Sequence, residues 1–187
     1  MDFGHYGDAS LELALDLANT RPTDQFPEEL PDEASLGALL EGHDIALPDG
    51  GVTAVDLAEV HDLREQLVAV LQATDLAAAA EVLNDVMERG AALPSLTDHD
   101  GDGWHLHYES RDGRLVSRLA AICGPTLALL LRDVGLARIG ECQDDTCESF
   151  YVDASRNAVR RYCCHRCATR SSVAAYRRRQ RTAEVTD

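Results

Sequence analysis

Four cysteines near the C-terminus, spaced Cys142-x4-Cys147-x15-Cys163-x3-Cys167, constrain this chain more than any other feature. The 187 residues hold six cysteines, and five of them lie between positions 142 and 167. In a chain read as cytoplasmic, such clustering favours a metal over disulfides. Zinc takes four soft ligands in a tetrahedron, and two close pairs with a hairpin-length spacer between them supply that set. The spacing predicts a knuckle loop at Cys142 and Cys147, a strand at Phe150-Tyr151-Val152 and a turn over 153–157. A returning strand follows at Arg160-Arg161-Tyr162. Cys163 and Cys167 then open a helix, where residues four apart share one face. Cys164 and His165 stand beside the second pair as alternatives to Cys163. Knuckle, hairpin and helix make a treble-clef-like zinc finger. Four cysteines close the coordination shell, whereas a catalytic zinc keeps a position open, so one structural Zn2+ is expected.

Charge is distributed as unevenly as cysteine. The formal net charge of -16 argues on average against a nucleic-acid partner. Yet residues 155–181 contain nine arginines, Arg156, Arg160, Arg161, Arg166, Arg170, Arg177, Arg178, Arg179 and Arg181, and no acid. Residues 1–154 hold eight arginines and 31 acids, a net of -23. An acidic body with a basic tail is the pattern of a chain that grips a polyanion locally. Residues 164–181 read as a helix leaving the zinc site, with Arg166, Arg170, Arg177 and Arg181 near one face. Val173 and Tyr176 are placed to pack against the finger or the body. All nine arginines are candidate phosphate contacts, because each neutralised phosphate releases counterions. The acidic body should repel DNA, so the finger is expected to project from it when bound. The body is also expected to restrain the arginine helix until a ligand shifts the balance.

Residues before 139 read as mainly helical. Segment 9–19 is rich in Leu and Ala, and residues 21–32 carry the turn formers Pro22, Asp24, Pro27 and Pro31. Ser35 is read as capping a short helix over 36–42. Leu57, Val60, Leu63, Leu67, Val70 and Leu71 recur at helical spacing over 53–73. Asp75 caps a helix over 76–89, with Leu76, Val82, Leu83, Val86 and Met87 inward and Gly90 stopping it. Residues 94–103 read as a polar loop. Trp104-His105-Leu106-His107-Tyr108 alternates as a strand, with Trp104, Leu106 and Tyr108 toward the core. An apolar helix over 115–134 is expected to kink or break at Gly124-Pro125. Cys123 reads as a small buried hydrophobe.

No Ser–His–Asp order, phosphate loop or paired-carboxylate motif is present, so the chain is not read as an enzyme. His105 and His107 fall on the polar side of their strand, and His43, His61 and His99 are isolated. Asp16, Asn19 and Thr20 are the candidate lining of a small ligand pocket, against the plainer reading that they terminate a helix. No apolar run approaches the ~18 residues of a membrane span. Residues 1–5 lack the basic and apolar blocks of a signal peptide, so no membrane partner and a cytoplasmic location are expected.

One run, Cys142-Gln-Asp-Asp-Thr-Cys147 … Phe150-Tyr-Val-Asp153-Ala-Ser155-Arg-Asn157 … Arg160-Arg161-Tyr162-Cys163 … Cys167-Ala168-Thr169-Arg170, resembles the CGNR zinc finger. Leu13-Ala14-Leu15-Asp16-Leu17-Ala18-Asn19-Thr20 resembles the opening motif of the ABATE-type domain that precedes it in that family. Of Cys-Gly-Asn-Arg, the chain keeps Cys167 and Arg170 and places Ala168 and Thr169 between them. Its second cysteine pair is one residue tighter than the commoner spacing. The resemblance covers nearly the whole chain and implies a bacterial, stress-induced transcription regulator. It implies duplex DNA, ahead of RNA, as the finger's partner and a regulatory or ligand-sensing role for the N-terminal domain. The expected organisation is a helical domain over 1–138 with a small strand element, the finger over 139–182 and a tail over 183–187. Two other readings remain: an enzyme with an unrecognised pocket and a purely structural finger, or an RNA- or protein-binding adaptor.

Overall fold

Three of the first four helices begin where the sequence supplies an acceptor for the free N–H groups of a first turn. The computed structural model describes residues 8–91, 93–97 and 104–185. Helix α1 spans Asp8–Asn19, α2 Glu33–Gly42, α3 Ala54–Leu71 and α4 Leu76–Gly90. Asp32 caps α2 and exchanges hydrogen bonds with Ser35 in a capping box, so α2 starts three residues before the segment that Ser35 marked. Thr53 and Asp56 form the same reciprocal pair at α3. Asp75 accepts from the Ala77 and Ala78 amides at α4.

Strands β1 (Leu93–Thr97) and β2 (His105–Glu109) pair antiparallel, with Leu96 opposite Leu106 and Pro94 opposite Tyr108. The predicted loop at 94–97 is therefore a strand. On the expected inward face of β2, Tyr108 is half-buried, but Trp104 is 71% exposed and Leu106 56%. A two-stranded sheet has no second layer of its own to bury that face. The side chains of His105 and His107, residue His99 and residues 1–7 lie outside the described residues.

Helix α5 (Leu115–Val134) is the axis of this unit. It runs unbroken through Gly124-Pro125, so the expected break is absent. By length and composition α5 alone among the described helices is apolar enough to cross a membrane, but most of it is buried within the protein. Leu115, Leu119, Cys123, Leu127 and Leu130 are fully or almost fully enclosed, together with Leu13 and Leu17 of α1 and Val60, Leu63, Leu67 and Val70 of α3. Burial pushes the Cys123 thiol up to about 12, as expected for an inert core cysteine. Helix α4 packs on α5 and α3 and buries Ala79, Leu83 and Val86, while Leu76, read as inward, is 48% exposed. Gly90 does not stop α4; Ala91 does, in the left-handed region at φ 41. Gly90 is the last helical residue, and a Cβ there would lie 2.7 Å from the backbone nitrogen of Ala121.

The chain divides into two compact units at Leu136 and Ala137. In the second, a 3-10 turn over Leu136–Arg138 leads into β3 (Ile139–Glu141), which pairs antiparallel with β4 (Phe150–Val152). Helix α6 (His165–Val185) completes it. The strand at 150–152 forms as read, but its partner is β3 and not 160–162, which forms no strand. The hairpin thus brackets the knuckle instead of following it.

Candidate metal centre

Strand β3 ends where Cys142 begins, and Cys147 precedes β4, so the β3–β4 hairpin presents both thiols from its turn. The knuckle is closed by Cys147 N–H donating to Asp144 O at 2.9 Å and Cys142 N–H donating to Ser149 O at 2.9 Å. Gly140 lies opposite Tyr151, whose ring passes within 2.7 Å of where a Cβ would sit. That close approach frees the Tyr151 hydroxyl to donate to Arg160 O at 2.6 Å. Asp153 accepts from the Ser155 and Arg160 amides at 2.8 Å each and shapes the return loop. Together these contacts deliver Cys163 to the knuckle and start α6 beside it.

The Sγ atoms of Cys142, Cys147, Cys163 and Cys167 all lie within 4.8 Å of one another. Cys163 Sγ is 3.6 Å from both Cys147 Sγ and Cys167 Sγ. A tetrahedron with zinc–sulfur bonds of ~2.3 Å has edges of about 3.8 Å, so the donor set fits one zinc ion. Cys142 and Cys167 are buried and the other two half-buried. Cys163, not Cys164 or His165, completes the set; Cys164 is exposed. With four protein ligands the centre is structural.

Without a cation these thiols cannot ionise together. Burial and the neighbouring thiols push Cys163 well above the ordinary range, and Cys167 is raised to about 12, chiefly by burial. At Cys147 burial also acts upward but is outweighed by Ser149, Cys163 and Cys142, which hold it at about 7. A divalent ion relieves the repulsion, so its binding must expel protons.

A second layer holds the ligands. Cys163 N–H donates to Cys142 Sγ at 3.4 Å, and the Ser149 hydroxyl lies 3.4 Å from Cys147 Sγ. Arg170 Nη2 donates to Cys167 Sγ at 3.3 Å. The same guanidinium holds Asp144, with Nε 2.9 and 3.0 Å from its two carboxylate oxygens. Asp144 is only 4% exposed and also accepts from Ser171, Thr146 Oγ1 and the Thr146 amide. Burial acts against its charge, but the Thr146, Ser171 and Arg170 donors outweigh it and hold the carboxyl at about 2. Asp144 was not singled out in the sequence; its only signal there is a place inside the Cys142–Cys147 loop.

The nine arginines separate into two groups. Arg170 and Arg160 are engaged within the finger: Arg160 lies over the Tyr151 ring at 4.9 Å and donates to Val152 O, Tyr162 O and Cys163 O. Arg161 donates to Gln143 Oε1 at 2.6 Å, and Arg178 reaches Asp145 at 3.5 Å with both side chains exposed. Arg156, Arg166, Arg177, Arg179 and Arg181 are exposed and have no hydrogen-bond or ion-pair partner among the described residues. Val173 and Tyr176, read as packing residues, are 43% and 57% exposed. Helix α6 has 21 residues and so extends about 31 Å at 1.5 Å per residue.

In the helical unit, Asp16, Asn19 and Thr20 occupy the end of α1. Asp16 accepts from His43 Nε2 at 3.1 Å. Thr20 is buried and donates through Oγ1 to Leu17 O at 2.7 Å, which closes the helix. Beneath it, Arg64, 3% exposed, grips both carboxylate oxygens of Glu28 at 2.5 and 2.8 Å.

The family model for ABATE, described as "Putative stress-induced transcription regulator", matches residues 11–134. The CGNR zinc finger matches residues 138–180. No protein of curated function matches the sequence. Neither family is one of enzymes.

Proposed function

From the premise that the chain belongs to the ABATE family and ends in a CGNR zinc finger, we propose that it is a DNA-binding transcription regulator whose zinc sets the direction of α6. One observation carries this reading. A zinc-anchored helix bears Arg166, Arg177, Arg179 and Arg181, exposed and unpaired among the described residues, in a stretch from 155 to 181 without acids. An unpaired guanidinium has no internal bond to give up before it meets a phosphate. Arg156 in the return loop and Arg178, whose exposed pair with Asp145 is weak, extend the surface. Arg160 and Arg170, committed to the finger, contribute by holding its shape. In this reading the helical unit is the regulatory partner, and Asp16, Asn19 and Thr20 are its candidate contacts for a small effector.

The test is a gel shift on duplex DNA from upstream of the protein's own gene. Engagement of about six arginines gives a log–log salt slope near -5, and Arg177, Arg178 and Arg179 changed together to Ala should make it about 3 shallower. No shift in the wild type, or an unchanged slope in the triple variant, would sink the proposal.

A further inference from the structure

The finger holds one thiol more than zinc needs. Cys164 lies outside the four-sulfur set and is exposed, yet its Sγ is 3.6 Å from that of the buried ligand Cys167. The two are spaced Cys-x-x-Cys across the start of α6, where the Ala168 amide donates to Cys164 O at 3.2 Å as the first intrahelical bond. An accessible cysteine just before a helix, with a buried one three residues on, is an arrangement suited to dithiol chemistry. Cys164 also opens onto a shallow groove of about 480 Å³, lined by Arg160, Arg161, Tyr162, His165 and Ala168. A small solute therefore reaches Cys164 without unfolding the finger, while Cys167 is only 4% exposed.

We propose that Cys164 is an oxidation site for hydrogen peroxide or a small hydroperoxide, resolved by Cys167, and that the resulting disulfide removes one zinc ligand. In the first step the Cys164 sulfur attacks a peroxide oxygen. An S–O bond forms and the O–O bond breaks. Hydroxide, or the alkoxide of a hydroperoxide, leaves and takes the proton given up by the Cys164 thiol to become water or the alcohol. Cys164 becomes a sulfenic acid by a two-electron oxidation. In the second step the Cys167 sulfur attacks the Cys164 sulfur. An S–S bond forms, the S–O bond and the bond from Cys167 to zinc break, and the departing hydroxide takes a proton from solvent to become water. The Cys164 thiol, the Cys167 thiolate, one proton from solvent and one hydrogen peroxide thus yield one disulfide and two waters; a hydroperoxide yields its alcohol and one water. Cys142, Cys147 and Cys163 are left as three ligands, and Arg170 loses the thiolate it donates to. Thiol reductant with zinc reverses the change. Loss of the ligand should lower DNA affinity, a consequence that rests on the function proposed above; the chemistry at the thiols does not.

The experiment exposes the zinc-loaded full chain to hydrogen peroxide and follows zinc release with a chromogenic chelator. The same samples go to peptide mapping and DNA binding. Wild type should release its zinc at least tenfold faster than Cys164→Ser and Cys164→Ala, with a Cys164–Cys167 disulfide in the map. Equal release rates in wild type and both variants, or a disulfide that excludes Cys164, would overturn the proposal. Reduced wild type that ignores DNA while showing the Cys164-dependent release would sink the functional reading and leave the oxidation site standing.

Discussion

Arg170 illustrates how one side chain serves two neighbours. It reaches Cys167 Sγ and Asp144 together, and Asp144 in turn collects Thr146 and Ser171. Partners of metal ligands fix ligand orientation, and their loss typically lowers metal affinity about 10- to 100-fold. Asp144→Ala and Arg170→Ala should therefore weaken zinc binding by that factor in a chelator competition. Arg166→Ala, on the same helix without such contacts, should leave it unchanged. Equal zinc affinity in all three would show Arg170 to be a surface charge. The metal ligands themselves were legible because thiol spacing encodes the chemistry directly. Asp144 was not, since one more acid in so acidic a chain carries no signal until its donors are seen around it. The place of Arg160 in the finger was hidden for the opposite reason: among nine arginines, sequence cannot tell a staple from a free cation.

At the scale of elements, caps and helical periodicity located α1 to α5 within a few residues. Misreadings arose where packing overrides local preference. Residues 94–103 read as a polar loop, yet β1 forms there and accommodates Pro94 because a two-stranded sheet consists only of edges. Gly90 read as a helix stop, whereas its smallness admits the α5 backbone. Gly90→Ala gains ~1 kcal/mol of helix propensity. Forcing a methyl group against immovable backbone costs ~1–3 kcal/mol, and at 2.7 Å the upper part of that range applies. Denaturant unfolding should show the helical unit destabilised while zinc content stays at one per chain. The Arg64–Glu28 pair supplies a pH dependence. Burial raises the Glu28 carboxyl, but Arg64 and the Leu30 amide outweigh it and hold it below its unfolded value. Its contribution is thus present above pH ~4.5 and fades as pH falls through the lowered folded value. Glu28→Ala leaves the buried guanidinium with only Glu65 at 3.3 Å and the more distant Thr20 oxygens, and with Glu28 partly in water the cost is about 1–3 kcal/mol at pH 7. The variant should then lose less stability than wild type between pH 5 and 3. A parallel decline in the two proteins would refute the pairing as the source.

At the scale of the whole molecule, the two units are held together by different means, and that difference is testable. The helical unit encloses at least ten leucines on α1 to α5, each worth ~1.5–3 kcal/mol when fully buried, a core that should hold without a metal. Among the described residues the finger has two strands of three residues, and its enclosed side chains are Cys142, Phe150, Tyr151, Val152 and Cys167 with the two acids Asp144 and Asp153. So small a core cannot offset its own chain entropy, and in such modules the binding free energy of zinc, ~10–16 kcal/mol at neutral pH, is the folding free energy. Chelation should therefore act on one unit only. Amide hydrogen exchange after EDTA treatment should speed up across 142–181, while α1, α3 and α5 keep their protection and a cooperative thermal transition survives. Since α6 would then lose its fixed direction but keep its arginines, DNA affinity should fall to a weak, salt-sensitive remnant and return when zinc is restored. If chelation melts both units, the helical core depends on the finger after all. If DNA binding persists unchanged without zinc, the arginines act as a flexible tail, and the metal has no part in presenting them.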